Sequence, residues 1–517
     1  MHGQRLRELD LSAHDISLRA VPRSCRRMFL SYFHIFAFLS FQNIEMPSLH
    51  VYLAVCAALL TRVYSQTLLT AQNVTFASAF HITQQQQQDA GLNASQVNDI
   101  DVALNFERSN WAHGSVGTDP FYRLPSNTTG APPGALLKLE VSANTSGYTV
   151  PPNTALSRIL YQSRTLNGSS VPASAHILWP YTPRVKHDGY AVIGWAHGTS
   201  GVFGECAPSH IRNLWYQFTT PYTAALQGYV VVAPDYAGLG VDHDSNGDPV
   251  RHTYLANPAH ANDLFFSVQA AQTAFESLSK RFVIVGHSQG GGAAWAAARR
   301  QALEPVKGYL GTIAGSPVTN IYDLIAMAGV EAGGVGFLLA HGLPEVFPEF
   351  NASAFLTPAG LKRYALLADI QGCNSVVSVS LLEPDLFQPA WYDNAYAKLY
   401  FDLSNNGGQP IAGPMLVLQG EGDLSVPVSL TTNAVNITCH AHPRSQIQYI
   451  TYPGVAHTPV MFASQVTWLD WIADRFAGKP VAKRCQHSSV ASSRPYSEYQ
   501  VDPNWFIEYA TAPYETA

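Results

Sequence analysis

One stretch constrains this chain more than any other: Arg281 to Trp295. Phe282 to Val285 are four consecutive apolar residues, the mark of a short strand buried on both faces. Gly286-His287-Ser288-Gln289-Gly290 follows at once, and then a small, Ala-rich run from Gly291 to Ala298 that reads as a helix. Strand, Gly-x-Ser-x-Gly and helix in that order make a nucleophile elbow. The glycines stand where strand and helix backbones crowd together, and the serine at the apex is held in a strained conformation with its hydroxyl outward. The N-terminus of the following helix favours negative charge beside it.

A serine hydroxyl is a weak nucleophile until an oriented base takes its proton. The chain alternates strands and helices around the elbow. Strands are expected at Leu136–Val141, Ser157–Tyr161, Ala175–Trp179, Tyr190–Trp195, Tyr229–Ala233, Val306–Ile313, Met415–Gln419 and Gln446–Tyr452. Helices are expected at Asp263–Leu278 and Val460–Phe476. This pattern predicts an α/β fold, a mostly parallel sheet flanked by helices. The alternation breaks over 317–410, where apolar helical segments such as Ile321–Met327 and Val335–Leu343 are interrupted by prolines. We read that region as an inserted helical cap.

Asp423 follows the strand at Met415–Gln419, and His457 follows the strand at Gln446–Tyr452. Loops at strand C-termini are where such sheets hold their reacting groups. Ser288, Asp423 and His457 are also in the chain order Ser, acid, His that the α/β-hydrolase fold uses. Glu421 is the rival acid, two positions away. An oxyanion needs two N–H donors. The backbone of Gln289 is one. The loop His197–Gly201 supplies the other, at Thr199 or at Gly198. His287, His341 and His440 are read as structural, and Asp235 as fixing a turn below the site.

Composition narrows the function. Only 13% of residues are charged, about half the usual share, and 47% are hydrophobic. The formal charge of −6 carries no basic footprint for nucleic acid. Residues 46–65 read as a secretory signal peptide with an apolar centre at Val51–Leu60, too short to span a bilayer. Residues 1–45 form an upstream extension with its own apolar run, Met28–Phe41, the competing anchor. Glycosylation sequons at Asn73, Asn93, Asn127, Asn144, Asn167, Asn351 and Asn436 agree with an extracellular protein. Beyond the leader stand Cys206, Cys373, Cys439 and Cys485, which suggest two disulfides with three pairings open. Neither Cys-x-x-Cys nor His-Glu-x-x-His occurs, so no metal and no other cofactor is expected. The segments are therefore a leader (1–65), an extended N-terminal arm with a few helical turns (66–135), a core (136–316 and 411–485), the cap (317–410) and an unpatterned tail (486–517).

Taken together, the motifs resemble the fungal secretory lipases, the lipase A type of α/β-hydrolase. The matching stretches are His197 to Thr199, Cys206 to Ser209, Gly228 to Tyr236 with Gly238 and Gly240, the elbow, Gly420 with Asp423 and Val426-Pro427, and the His457 loop. The resemblance spans about residues 75–485. One departure is the elbow itself, Gly-His-Ser-Gln-Gly where relatives carry Gly-Tyr-Ser-Gly-Gly. The resemblance implies hydrolysis of acylglycerol esters and the pairings Cys206–Cys373 and Cys439–Cys485. The function expected is then a secreted serine carboxylester hydrolase acting on a lipid or other ester, in contact with a lipid–water interface and without an obligate protein partner. A small-acyl esterase, an acyltransferase or a non-catalytic interaction domain on the same scaffold is the alternative. In this reading Ile321–Met327 and Val335–Leu343 pack over the elbow and line an acyl pocket, with Gly333 and Gly336 admitting close approach.

Overall fold

A computed structural model describes residues 80–500, other than 127, 129, 187, 329–331 and 381–383. The expected leader, the sequons at Asn73 and Asn127 and the end of the tail lie outside the described residues.

An 11-stranded sheet carries the fold. Its strands are β1 (Leu136–Glu140), β2 (Ala155–Arg164), β3 (Ser170–Trp179), β4 (Val185–Lys186), β5 (Gly189–Ala196), β6 (Val230–Pro234), β7 (Leu278–His287), β8 (Tyr309–Gly315), β9 (Met415–Gly420), β10 (Ile447–Tyr452) and β11 (Gln486–Ser489). Their spatial order is β1-β2-β3-β6-β5-β7-β8-β9-β10-β11, with the short β4 beside β5. The first strands pair antiparallel, as does β3 with β6. From β6 through β11 the main path is parallel. The C-terminal ends of β5, β7, β9 and β10 therefore open on one edge. The chain direction reverses its march across the sheet between β5 and β7, which places a crevice at their ends.

The central strand explains itself. Phe282, Val283, Ile284 and Val285 are all buried, as a strand covered on both faces requires. Helices supply the cover. In chain order they are α1 (Gln84–Ala90), α2 (Ala94–Ser109), α3 (Pro221–Leu226), α4 (Asn257–Ala274), α5 (Gln289–Leu303), α6 (Ile321–Ala328), α7 (Ala332–Val346), α8 (Pro358–Ile370), α9 (Asn374–Ser380), α10 (Ala395–Ser404), α11 (Val428–Ala441), α12 (Pro459–Ala463) and α13 (Gln465–Phe476). Phe265 of α4 meets Phe282 edge-on at 5.8 Å on one face. Trp195, Trp468 and Ile472 belong to the core on the other.

Helices α6 to α10 lie between β8 and β9 in the chain. They have an aromatic core of their own, in which Phe337 packs edge-on against Phe387 at 4.8 Å and Phe355 meets Trp391 tilted at 4.9 Å. A Cβ on Gly336 would stand 2.7 Å from Phe387 and 2.9 Å from Trp391. Gly336 thus serves packing inside this helical region, and a bulky residue there would press on its aromatic core.

Three local expectations need correction. Where it is described, the region 66–135 is better packed than an extended arm with a few helical turns: α2 buries Ile100, Ala103 and Leu104 completely, and its Glu107 accepts the Cys373 and Val376 N–H groups at 2.8 and 2.9 Å. The closing helix is two, α12 and α13, separated at Ser464. The tail is not structureless, since β11 adds to β10 with Gln448 opposite Gln486 and Thr451 opposite Ser489. Two disulfides are present, Cys206–Cys373 and Cys439–Cys485, with Cα–Cα distances of 5.5 and 6.1 Å. The first ties the loop after β5 to the start of α9, and the second fastens the root of β11 to α11.

Candidate active site

Ser288 sits between β7 and α5 with φ 60° and ψ −122°, a left-handed conformation that a β-carbon makes costly. What holds it there is backbone crowding that only glycine allows. A Cβ on Gly286 would stand 2.0 Å from the Gly290 carbonyl oxygen, and one on Gly290 would stand 2.0 Å from the Ala196 oxygen. The Ser288 N–H donates to the Gly315 carbonyl at 3.0 Å, and its own carbonyl accepts from Gly292 and Val318. The side chain is partly exposed while its neighbours His287 and Gln289 are buried.

Asp423 and His457 meet across the ends of β9 and β10. Asp423 Oδ2 lies 2.7 Å from His457 Nδ1, with the carboxylate side chain fully buried and the imidazole 18% exposed. The other carboxylate oxygen accepts the Ser425 and Val426 N–H groups at 3.0 and 2.8 Å. Gln419 Nε2 donates to Oδ2 at 3.1 Å. Burial pushes this carboxyl up. The His457 charge, its hydrogen bond and the Val426 N–H outweigh burial and leave the group below its ordinary value. A carboxylate that stays ionised and accepts from Nδ1–H fixes the proton of a neutral imidazole on Nδ1 and leaves Nε2 free to accept another. Glu421 is exposed, and its carboxylate reaches towards Ser489 at 3.5 Å, away from the imidazole.

Among the described residues, Ser288 Oγ and His457 Nε2 make no hydrogen bond; such bonds are often loose until substrate is bound. The Ser288 hydroxyl interacts instead with the Tyr216 phenol. This tyrosine was not among the residues that the motifs point to. Its hydroxyl rests directly on Gly198, where a Cβ would come within 1.7 Å of it. It also lies 3.4 Å from His287 Nδ1. His287 in turn donates from Nε2 to the His457 carbonyl at 3.0 Å. Burial, and secondarily the His457 charge, lowers His287 to about 3, so its ring is neutral at working pH. His287 is therefore more than filler inside the elbow: it buttresses the loop that carries His457.

The loop after β5 is held by side-chain contacts. His197 stacks on Tyr236 at 4.2 Å and bonds the Asp235 carbonyl through Nε2 at 3.2 Å. Asp235 holds Ser209 and Ser174 through its carboxylate oxygens, at 2.7 Å from the Ser209 N–H and 2.6 Å from the Ser174 hydroxyl. Thr199 Oγ1 pairs with the Tyr254 hydroxyl at 2.9 Å. The Gln289 side chain, on the residue after the serine, meets His252 Nε2 at 3.2 Å and so is pulled away from the serine's open side. His341 pairs with the Tyr364 hydroxyl at 2.9 Å within the inserted helices. Among the described residues no group of three or more His, Cys, Asp or Glu is placed to hold a metal ion.

The segment that presents Tyr216 is unusual. Leu214, Trp215, Tyr216 and Gln217 have φ values of 55°, 51°, 59° and 28°, four successive non-glycine residues in the left-handed region. Each such residue costs roughly 1–2 kcal/mol. The turn persists because its side chains are buried, Leu214 wholly and the others nearly so. No short motif announces it, since Leu-Trp-Tyr-Gln-Phe reads as an ordinary apolar stretch.

Comparison with known proteins places the fold in a family. The profile of the Alpha/beta hydrolase family matches residues 195–475, more than half of the chain. Lipase 5 of Candida albicans is 24% identical over 416 residues, which cover 73% of this chain and 85% of that protein. Lipase 10 of the same organism is 23% identical over 432 residues, covering 75% and 87%. A crystal structure of Candida antarctica lipase A in its closed state superposes with a TM-score of 0.61 at 18% identity, covering 74% of this chain and 91% of that one. A second structure of lipase A gives 0.60 at 16% identity, covering 73% and 90%. With the elbow, the parallel sheet and the family profile in agreement, the chain belongs to the alpha/beta hydrolase family, and within it is similar to fungal lipases of the lipase A type.

Proposed function

We propose that this protein is a secreted serine carboxylester hydrolase acting on acylglycerols. The observation that carries the reading is the pairing of a strained, partly exposed Ser288 on the elbow with a buried Asp423–His457 couple at 2.7 Å on the same edge of the sheet. Ser288 Oγ attacks the ester carbonyl carbon, and its proton passes to His457 Nε2. Asp423 holds the imidazole tautomer and stabilises the imidazolium. The oxyanion is met by the Gln289 N–H and by the loop at Thr199 or Gly198. Collapse releases the alcohol, which takes the proton from Nε2. Water, deprotonated by the same histidine, then hydrolyses the acyl-enzyme.

The low charge fraction and the lipases it is similar to support a lipid ester as substrate and a lipid–water interface as the place of work. Two disulfides support an oxidising compartment. So do the sequon asparagines among the described residues, Asn93, Asn144, Asn167, Asn351 and Asn436, all of which are exposed. The helices inserted between β8 and β9 would wall the acyl site.

The test is covalent and functional together. A fluorophosphonate probe should label the protein once, with the adduct on the Ser288 peptide, and Ser288→Ala should abolish hydrolysis of emulsified glycerides and soluble p-nitrophenyl esters alike. An unlabelled Ser288, or a Ser288→Ala protein retaining a tenth of the activity, would refute the reading. Glyceride turnover far below that of short soluble esters would move the assignment to a small-acyl esterase.

A further inference from the structure

We propose that the Tyr216 hydroxyl is part of the oxyanion site, donating its O–H to the ester carbonyl oxygen as negative charge develops there. This rests on Ser288 being the nucleophile.

The placement argues for it. Tyr216 leaves the same loop, after β5, that contributes Gly198 and Thr199, and its phenol stands where three parts of the site converge. It touches Gly198, it interacts with Ser288, and it lies 3.4 Å from His287 Nδ1. The space it fills is the space a side chain at 198 would need, so the glycine and the phenol are complementary. The ring is fixed from both sides, with His287 at 5.5 Å and Trp195 at 5.9 Å between centroids. Four successive left-handed residues are needed to bring it there. Strain of that extent persists where the surroundings over-determine it, and it gathers at functional sites.

The hydrogen-bond arithmetic assigns the direction of the bond. A carbonyl can only accept, so His287 Nε2 carries the ring proton that reaches the His457 oxygen. The neutral ring then offers a lone pair at Nδ1 to the phenol. Tyr216 is thus a donor in the resting state. Burial raises its pKa above the ordinary phenol value, against a smaller opposing effect of Ser288, so the proton is retained. The resting bond at 3.4 Å is long, and turning the O–H from it towards a charged oxygen gives up little. When Ser288 Oγ bonds the carbonyl carbon, the C=O pair moves onto oxygen and the serine proton goes to His457. Tyr216 supplies a hydrogen bond to that oxygen and keeps its proton through collapse.

Tyr216→Phe removes one oxygen and leaves the ring in place. Its kcat on a p-nitrophenyl ester should fall by about 10²–10³, the loss typical of one oxyanion donor, with KM changed less than about twofold. The corresponding thionoester, whose sulfur is a poor acceptor, should lose only a few-fold. A trifluoromethyl ketone, which forms a charged hemiketal on the serine, should bind the variant more weakly by the same factor as the ester loss. Equal losses on ester and thionoester, or an ester kcat within threefold of wild type, would overturn the proposal. Incorporation of 3-fluorotyrosine at 216 keeps the shape and strengthens the donor. It should raise the ratio of ester to thionoester rate, and an unchanged ratio would again overturn the idea. Fluorophosphonate labelling of wild-type Ser288 separates the two levels: with labelling intact, these failures strike only Tyr216, whereas absent labelling removes both.

Discussion

Replacing Asp423 by Asn changes one atom and tests the acid assignment through geometry. The Oδ1 position accepts two backbone N–H groups, from Ser425 and Val426, so it must remain an oxygen. The new NH₂ is then forced into the Oδ2 position. There it faces His457 Nδ1 at 2.7 Å and Gln419 Nε2 at 3.1 Å. Gln419 cannot flip to receive it, because its Oε1 already accepts from Thr431 at 2.7 Å and its Nε2 donates to the Gly420 and Val426 carbonyls. His457 must accept at Nδ1, which moves its own proton to Nε2, the atom that has to receive the serine proton. Wrong-tautomer variants of this kind lose about 10⁴ in kcat with little change in architecture. The two opposed NH₂ groups leave a buried donor unsatisfied and should lower stability by about 1–3 kcal/mol. Stopped-flow acylation with p-nitrophenyl butyrate and urea unfolding of the same sample measure both effects. Glu421→Gln is the matched control. Its carboxylate is exposed, so activity should be unchanged and stability should move by less than about 0.5 kcal/mol. An Asp423→Asn enzyme with more than a tenth of wild-type kcat, or a Glu421→Gln enzyme without activity, would refute the reasoning.

Two further outcomes follow from packing and burial. His176 is wholly buried, neither ring nitrogen has a hydrogen-bond partner among the described residues, and burial followed by the nearby His197 lowers it to about 3. Below about pH 6.5 the unfolded chain takes a proton there that the folded one refuses, so the folded state loses about 1.4 kcal/mol per pH unit from this residue. In urea titrations, wild type should therefore trail His176→Leu by about 1.4 kcal/mol more at pH 5.5 than at pH 7.5, and an equal gap at both pH values would exclude this account. Gly336→Leu should lower stability by about 1–3 kcal/mol through overpacking against Phe387 and Trp391. Turnover of short and long esters should fall together, and a selective loss of long esters at an unchanged melting temperature would return Gly336 to the acyl pocket.

What could be read from the chain was what is local. The elbow is a strand, a turn and a helix within fifteen residues of each other, and its glycines answer clashes between adjacent segments. Asp423 and His457 were legible because each ends a strand in a parallel sheet, and parallel sheets bring such ends together without further instruction. The disulfide pairing came from the family resemblance alone, since nothing in the spacing of the four cysteines selects it. The length of helix α2 went unread within an arm expected to hold only a few helical turns, although its signs are present: Asn93 and Gln96 form a capping box, and Val97, Ile100 and Leu104 fall on one face. The neighbouring glutamine run obscured them. Tyr216 was not legible, because a left-handed turn of large residues is imposed by the tertiary core and contradicts every local preference of its sequence. The strand β11 was hidden for a related reason. Gln486 to Ser489 have little strand propensity, and the pairing depends on a covalent anchor beside it.

That anchor has a consequence for how the protein behaves in a crowd. The strand β10, Ile-Gln-Tyr-Ile-Thr-Tyr, has the composition of a segment that pairs readily with copies of itself. Its outer edge is covered by four exposed polar residues, held by His487 stacking on Tyr449 at 4.5 Å and by Cys485 bonded to Cys439 immediately before them. So short a strand contributes little on its own, and once the cystine is reduced it would fray, baring a row of unpaired N–H and C=O groups. The reacting groups would still be in place while the sheet had become a template for its neighbours. Cutting Cys439–Cys485 alone, with Cys206–Cys373 intact beside the loop after β5, would cost this protein its solubility before it disturbed the Asp423–His457 couple.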